Sequence, residues 1–187
     1  MSTAIPYSSI GDNLRAALSA AETSRNDPGV LANLSERIRG DQQLPRVPAS
    51  VQIARMILCV PSHALSRETK ELRLAIRLER HYTRQQLFTI YANMAPFGQN
   101  LLGVQEASQT IFHKDSRELT LAQAALLAGL MRAPSYYSPF KHADRALQRR
   151  NEVIDAMVAN ERITQSDGVR AKASNLDVAA RDTSPTK

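Results

Sequence analysis

Three charged residues of the sequence, Glu22, Arg67 and Glu71, have side chains of the types that acid–base chemistry or phosphate binding uses. Arg67 and Glu71 are four residues apart, so on a helix they share one face. A guanidinium that is held in place by a carboxylate still has N–H groups free to donate hydrogen bonds to a phosphate-bearing ligand. Glu22, near the end of a predicted N-terminal helix, could act as a general base if burial raised its pKa.

Both features also have a simpler interpretation. An Arg–Glu pair on a helix surface contributes only about 0.2–0.5 kcal/mol to stability, without any catalytic role. A lone glutamate at a helix end, such as Glu22, is more often a solvated charge. The residues by themselves therefore leave the choice between a site and a charged surface open.

Helical periodicity dominates the chain and predicts the elements that must position these side chains. Apolar residues recur at helical spacing in seven segments, 10–25, 50–60, 66–81, 84–93, 104–111, 121–131 and 143–160. A shorter helix is predicted at 30–39, between a turn at 26–29 and a Pro-bearing loop at 41–48. We therefore expect a mostly α-helical single domain over residues 1–163, with a Pro/Gly-bearing connection at 94–103 and a flexible tail at 164–187.

Composition and charge narrow the classes of function. The 187 residues carry 24 Lys+Arg against 18 Asp+Glu, a net charge of +6 that favours an anionic partner. No basic stripe with interleaved aromatics is visible, so nucleic acid is not expected as the partner. The single cysteine, Cys59, excludes an internal disulfide and a multi-cysteine zinc site, and the four histidines are scattered. No metal-binding residues are predicted.

The sequence gives no sign of a membrane-targeting segment. The N-terminus lacks the basic and apolar regions of a signal peptide. The longest uncharged stretch, residues 87–105, contains too many polar residues, glycines and a proline for a bilayer helix. We expect that an anchor, if the protein works at a membrane, is missing from this chain or supplied by a partner.

Several ordered motifs resemble glycosyltransferase family 51, the peptidoglycan glycosyltransferase domain of penicillin-binding proteins and monofunctional transglycosylases. The resemblance is clearest over residues 64–158 and weaker over 5–63. It is carried by the runs SRETKELRLAIRLER, YTRQQLFTIYAN, APFGQNLLGVQEASQTIFHK, LTLAQAALLAGLMRAPSYYSPF and QRRNEVI. The resemblance implies a lysozyme-like helical fold with a cleft between two lobes. It also implies polymerisation of lipid II at the outer (periplasmic) face of the cytoplasmic membrane.

The resemblance assigns roles to particular residues. Glu22 takes the position of the general base, and Glu71 with Arg67 takes the position that supports the lipid pyrophosphate. Further substrate-binding positions fall on Gln52, Lys70, Arg84 and Asn93. The implied partners are lipid II, lipid-linked glycan, the membrane surface and other cell-wall synthesis proteins. Some relatives use a divalent cation near the pyrophosphate, so the resemblance leaves room for one here.

The chain departs from the family pattern mainly at positions expected to face the substrate. Thr23, Glu68, Thr89 and Gln123 stand where the family has Asp, Lys, Glu and Glu, and the glycines of its second motif are absent. The alternative is therefore a catalytically impaired relative that binds lipid-linked glycan or a cell-wall assembly partner. That alternative predicts that Glu22 is exposed or lies far from Glu71.

Overall fold

The computed structural model describes residues 4–22, 49–58, 65–98, 100–131 and 133–179. Within these ranges the backbone, but not the side chain, is described for Glu22, Ala49 and residues 65–67. The predicted turn at 26–29, short helix at 30–39 and loop at 41–48 lie outside the described residues.

The described residues form eight α-helices, a short 3₁₀ turn and one small hairpin, which confirms the mostly α-helical class. The 3₁₀ turn is Tyr7–Ser9, and the helices are α1 Asp12–Glu22, α2 Ala49–Leu58, α3 Leu65–His81, α4 Arg84–Met94, α5 Val104–Phe112, α6 Leu121–Leu130, α7 Ala143–Ala159 and α8 Gln165–Ala173. The strands, β1 Pro96–Gly98 and β2 Leu101–Leu102, pair antiparallel. The cleft between two lobes stays a prediction.

Helix α6 lies at the centre of the main hydrophobic core. Its sequence, LAQAALLAGL, has no charged residue and is apolar on every side, as expected for a helix with neighbours all round. Helices α1 and α7 both pack against it, and α1 also contacts α7. Leu14 and Leu18 of α1 and Ile154 of α7 are buried in this core, so α1 is held through the middle of its length.

A smaller apolar cluster joins α2 to α3. Ala54 and Ala75 are fully buried at its centre, with Val51 and Leu72 packed around them. Small residues at the contact allow the two helix backbones to approach closely. Helix α4 also contacts α2, which connects this pair of helices to the main core.

The connection predicted at 94–103 contains the hairpin, which the sequence did not predict. Gly103 sits at a φ of 85°, a region that favours glycine, and it begins α5 as its N-cap. A Cβ at Gly103 would lie 2.7 Å from the carbonyl oxygen of Asn93. The chain therefore needs glycine here to return from β2 towards the end of α4.

The residues from 164 to 179 are folded, where the sequence predicted a flexible tail. Thr164 caps α8, because its side chain accepts a hydrogen bond from the backbone N–H of Asp167. Hydrogen bonds from Thr164 and Arg170 also lower the pKa of the Asp167 carboxyl. Farther along, the N–H of Ala179 donates to the carbonyl of Ile111 at the end of α5. The packed structure therefore extends beyond residue 163, and residues 180–187 lie outside the described ranges.

Arg150 fixes this C-terminal segment to α7. Its side chain is fully buried, and its guanidinium donates to the carbonyls of Lys172, Ser174 and Asn175 at 2.8, 2.7 and 3.3 Å. These carbonyls lie at the C-terminal end of α8, where backbone acceptors lack partners and a cation is favourable. Burial lowers the pKa of Arg150. Of the two adjacent arginines, Arg149 and Arg150, the second thus holds the C-terminal segment to α7.

The start of α6 shows why Gln123 can stand where the family has a glutamate. Thr120 Oγ1 accepts from the N–H of Gln123, and Gln123 Oε1 accepts from the N–H of Thr120, at 3.3 and 3.1 Å. This capping box works with either Gln or Glu at its third position. The loss of charge therefore leaves the helix start intact.

Thr120→Ala is expected to lower the free energy of unfolding by about 1 kcal/mol, because the buried start of α6 loses a side-chain acceptor. Urea unfolding followed by circular dichroism measures the change. Thr110→Ala is the matched control, since Thr110 is exposed within α5 and alanine favours a helix there. Equal destabilisation by the two substitutions would contradict a capping role for Thr120.

Candidate functional site

The best-defined polar feature in the predicted site is a buried ion pair between α2 and α3. Glu71 lies in the second turn of α3, and only 6% of its side chain is exposed. Its Oε2 accepts a hydrogen bond from Arg55 Nε of α2 at 3.0 Å. A buried carboxylate requires such a partner, since desolvating an unpaired charge is strongly unfavourable. Arg55 therefore holds the Glu71 carboxylate in one orientation.

A second polar contact fixes the register of the two helices. Ser50 Oγ donates to Glu79 Oε1 at 2.7 Å, two turns along α3 from Glu71. Residue 50 faces residue 79, and residue 55 faces residue 71, so α2 and α3 run antiparallel. Together with the apolar cluster between them, these contacts make the Arg55–Glu71 pair part of a rigid two-helix unit.

Arg55 is a site residue that the sequence did not predict. The sequence feature that could have identified Arg55 is that it is the only charged residue in the ten-residue helix ASVQIARMIL. A lone cation in an otherwise apolar helix indicates a buried partner. The Arg55 side chain is 43% exposed, so its guanidinium contacts Glu71 on one side and remains accessible from solvent.

The other two principal predictions, Glu22 and Arg67, are placed by their backbones alone. Arg67 lies in the first turn of α3, one turn before Glu71, as the sequence predicted. Glu22 is the last residue of α1, the helix that packs against α6 and α7. Their side chains are outside the described part of the structure. Convergence of Glu22 with Glu71, and the Arg67–Glu71 pairing, stay predictions.

Gln52 and Lys70 lie near the Arg55–Glu71 pair along their helices. Gln52 is half-buried one turn before Arg55 on α2, so the two side chains lie on neighbouring parts of one face. Lys70 precedes Glu71 on α3 and is exposed. Arg84 is also exposed, and it begins α4, beyond the far end of α3. Substrate contacts by these three residues stay predictions.

Asn93 has a structural role that the sequence did not predict. Its Oδ1 accepts from the N–H of Ile5 at 2.8 Å, and its Nδ2 donates to the carbonyl of Ile5 at 2.8 Å. Nδ2 also donates to the carbonyl of Thr89 at 2.9 Å. The Asn93 carboxamide therefore attaches the N-terminal segment to α4. It accepts one hydrogen bond from the backbone of Ile5 and donates one to it, as a neighbouring strand does in a sheet. A substrate contact from Asn93, which the resemblance implied, has no support from these contacts.

A small cavity lies away from the ion pair, between the hairpin, α5, α6 and the loop that follows α6. Its volume is about 50 Å³, and its lining includes Phe97, Ile111, Leu130, Phe140 and Lys141. Pockets for drug-sized ligands measure about 300–1,000 Å³. This cavity is therefore too small for a disaccharide, and we do not include it in the candidate site.

In the part of the chain that the structure describes, no three or more His, Cys, Asp or Glu side chains are arranged to hold a metal ion. No helix among these residues has the length and apolar character needed to cross a bilayer.

Comparison with known proteins identifies a family match over most of these helices. Residues 49–158, which contain the Arg55–Glu71 pair, match the family model described as transglycosylase. The chain is 34% identical over 135 residues to penicillin-binding protein 1F of Bacillus subtilis, covering 72% of this chain and 19% of that protein. It is 41% identical over 113 residues to penicillin-binding protein 1A of Aquifex aeolicus, covering 60% and 16%.

A third relative shows the same relation. Penicillin-binding protein 1A of Escherichia coli is 38% identical over 131 residues, which is 69% of this chain and 15% of that protein. The chain thus spans less than a fifth of the length of these curated relatives. A crystal structure of penicillin-binding protein 1A from Haemophilus influenzae overlaps 72% of this chain and 17% of that one, at 27% identity and a TM-score of 0.47.

Proposed function

Because the chain belongs to the transglycosylase family, we propose that it is a peptidoglycan glycosyltransferase that polymerises lipid II into glycan strands. The relatives named above are penicillin-binding proteins, and the matched region includes α2 and α3. The observation that supports the proposal best is the Arg55–Glu71 pair, a guanidinium and a carboxylate held together on the helix unit that also carries Arg67.

The proposed reaction assigns one role to each charged group. Glu22 accepts the proton of the acceptor sugar hydroxyl as that oxygen bonds to the anomeric carbon of the donor. The bond from that carbon to the lipid pyrophosphate breaks, and the configuration inverts. Arg55 and Arg67 bind the departing diphosphate, because guanidinium donors match phosphate oxygens. Glu71 orients Arg55 and does not itself accept the proton.

The location and partners of the protein follow from the substrate. Lipid II is anchored in a bilayer, so the proposed enzyme works at a membrane surface, on the outer face of the cytoplasmic membrane. Other cell-wall synthesis proteins are the proposed partners.

A second candidate is a catalytically impaired relative that binds lipid-linked glycan or a cell-wall assembly partner. Glu68, exposed on α3 where the family has a lysine, is the observation that favours it, because it places a negative charge near an anionic substrate. This candidate retains the Arg55–Glu71 pair for binding but predicts no turnover. A protein can retain the fold of an enzyme family without retaining its catalytic activity.

Polymerisation of fluorescent lipid II by this chain tests the proposal, with glycan strands separated on gels as the readout. Arg55→Gln is expected to lower the rate about tenfold or more, since a charge-assisted contact to the leaving diphosphate is lost. It should also lower the free energy of unfolding by about 2 kcal/mol, because the buried Glu71 carboxylate loses its guanidinium partner.

The double variant Arg55→Gln/Glu71→Gln separates these two effects. Removing both charges also removes the buried carboxylate that Arg55→Gln leaves without its guanidinium, so the double variant should be more stable than Arg55→Gln alone while the rate stays low. Arg145→Gln, an exposed change on α7, is the control and should keep both stability and rate. Strand synthesis at the wild-type rate by Arg55→Gln would contradict its role, and no synthesis by the unmodified chain would favour the impaired relative.

A further inference from the structure

One side of α3 carries a row of exposed cations that the proposed reaction does not use. Four basic residues on this helix point to solvent, namely Lys70, Arg73, Arg77 and Arg80. We call them the α3 cationic face. Their spacing of three, four and three residues keeps them on one side of the helix.

The geometry of a helix makes this row narrow and long. At about 100° per residue the four positions fall within about 80° of arc, and from residue 70 to residue 80 they extend about 15 Å. Within the described residues, Arg73, Arg77 and Arg80 form no ion pair. The row is therefore a concentrated positive surface.

The acidic residues of the same helix are directed elsewhere. Glu71 accepts from Arg55, and Glu79 accepts from Ser50, both on the side that packs against α2. On a helical wheel these two glutamates lie about 140° from the centre of the α3 cationic face. The cations of α3 are thus separated from its carboxylates, since Glu68, although exposed, also lies about 160° from the centre of the α3 cationic face. Simple solubility would not require this separation, because mixed charges on the outer face would serve it equally well.

We propose that the α3 cationic face docks the protein on an anionic bilayer by binding the phosphate groups of phosphatidylglycerol headgroups. The inference rests on the proposed function, which places the substrate in a membrane. Charge complementarity supports it, since each Lys or Arg near an anionic membrane contributes attraction that salt screens.

This surface fits a lipid headgroup layer better than a nucleic acid. The exposed residues between the cations include no aromatic side chain on which a base could stack, and the row is confined to one helix. Binding to a flat layer of lipid phosphates requires only a straight row of cations that faces the layer, without side chains for base stacking. The face is distinct from the Arg55–Glu71 pair, which lies on the side of α3 that contacts α2.

Co-sedimentation with phosphatidylcholine vesicles, with and without phosphatidylglycerol, tests the proposal. We expect binding only when phosphatidylglycerol is present, and weaker binding as salt increases. The triple variant Arg73→Gln/Arg77→Gln/Arg80→Gln should bind about a hundredfold less tightly, from about fivefold for each cation. Circular dichroism and thermal unfolding should show that the variant remains folded, because all three side chains are exposed.

A second triple variant serves as the matched control. Arg145→Gln/Arg162→Gln/Arg170→Gln removes the same three charges from exposed positions outside α3, so the net charge of the two variants is equal. It should lose only a few-fold in binding, through the overall field of the protein. Equal losses in the two variants, or binding independent of phosphatidylglycerol, would overturn the proposal.

Two other measurements distinguish competing outcomes. If duplex DNA at the same phosphate concentration binds more tightly than the vesicles, the face is a nucleic-acid surface and the lipid assignment is wrong. The vesicles contain no lipid II, so docking is measured without catalysis. A chain that docks but makes no strands would contradict only the proposed function, and a chain that makes strands but does not dock would contradict only this inference.

Discussion

Glu22→Gln is expected to lower the rate of lipid II polymerisation by a factor on the order of 10² to 10⁴, the usual contribution of a general base. Glutamine has nearly the same shape as glutamate but cannot accept the proton of the acceptor hydroxyl. The fold should be unaffected, because α1 is held by the buried Leu14, Ala17 and Leu18 and not by its last residue. The rate is measured from the appearance of glycan strands over time.

Glu118→Gln is the matched control for this prediction. It makes the same chemical change at an exposed glutamate in the turn before α6, and it should keep the rate of the unmodified chain. A normal rate in Glu22→Gln would assign the base to another residue. If the unmodified chain and Glu22→Gln give the same background signal, the impaired relative is the correct interpretation.

Arg150→Met is expected to lower the free energy of unfolding by about 3 kcal/mol, with a fall in Tm of roughly 6–12 °C. Methionine keeps an apolar stem inside the core, so the main loss is the guanidinium. Its removal leaves the carbonyls of Lys172, Ser174 and Asn175 without their charged donor at the end of α8. Thermal and urea unfolding measure the loss of stability.

Hydrogen exchange should show where the stability is lost. The amides of α8 should lose protection first, because Arg150 of α7 binds the carbonyls at the end of that helix. Arg145→Met is the control on the same helix, and it should change stability by less than about 1 kcal/mol because Arg145 is exposed over the ring of Tyr136. Arg150→Lys should fall between the two, since lysine retains charge but lacks the planar fork. Equal stability of Arg150→Met and Arg145→Met would contradict the role of Arg150 as the link.

The sequence determined most of the helices, though not α8 in the predicted tail, because helical periodicity depends on neighbours only a few residues apart. The apolar spacing predicted α3 and α7 to within one residue at each end. Thr83 and Thr120 directly precede the predicted segments 84–93 and 121–131, and each is the N-cap of a capping box. The family was also recognisable from the sequence, since its ordered motifs survive along the chain and match the transglycosylase model over residues 49–158.

Only the tertiary structure decided which polar side chains meet across long separations. Arg55 and Glu71 are 16 residues apart, Arg150 and Ser174 are 24 apart, and Asn93 and Ile5 are 88 apart. No local pattern encodes these partners, because each contact depends on how whole helices pack against one another. A periodicity can predict that Glu71 lies on one face of α3, but the packing of α2 against that face determines that its partner is Arg55.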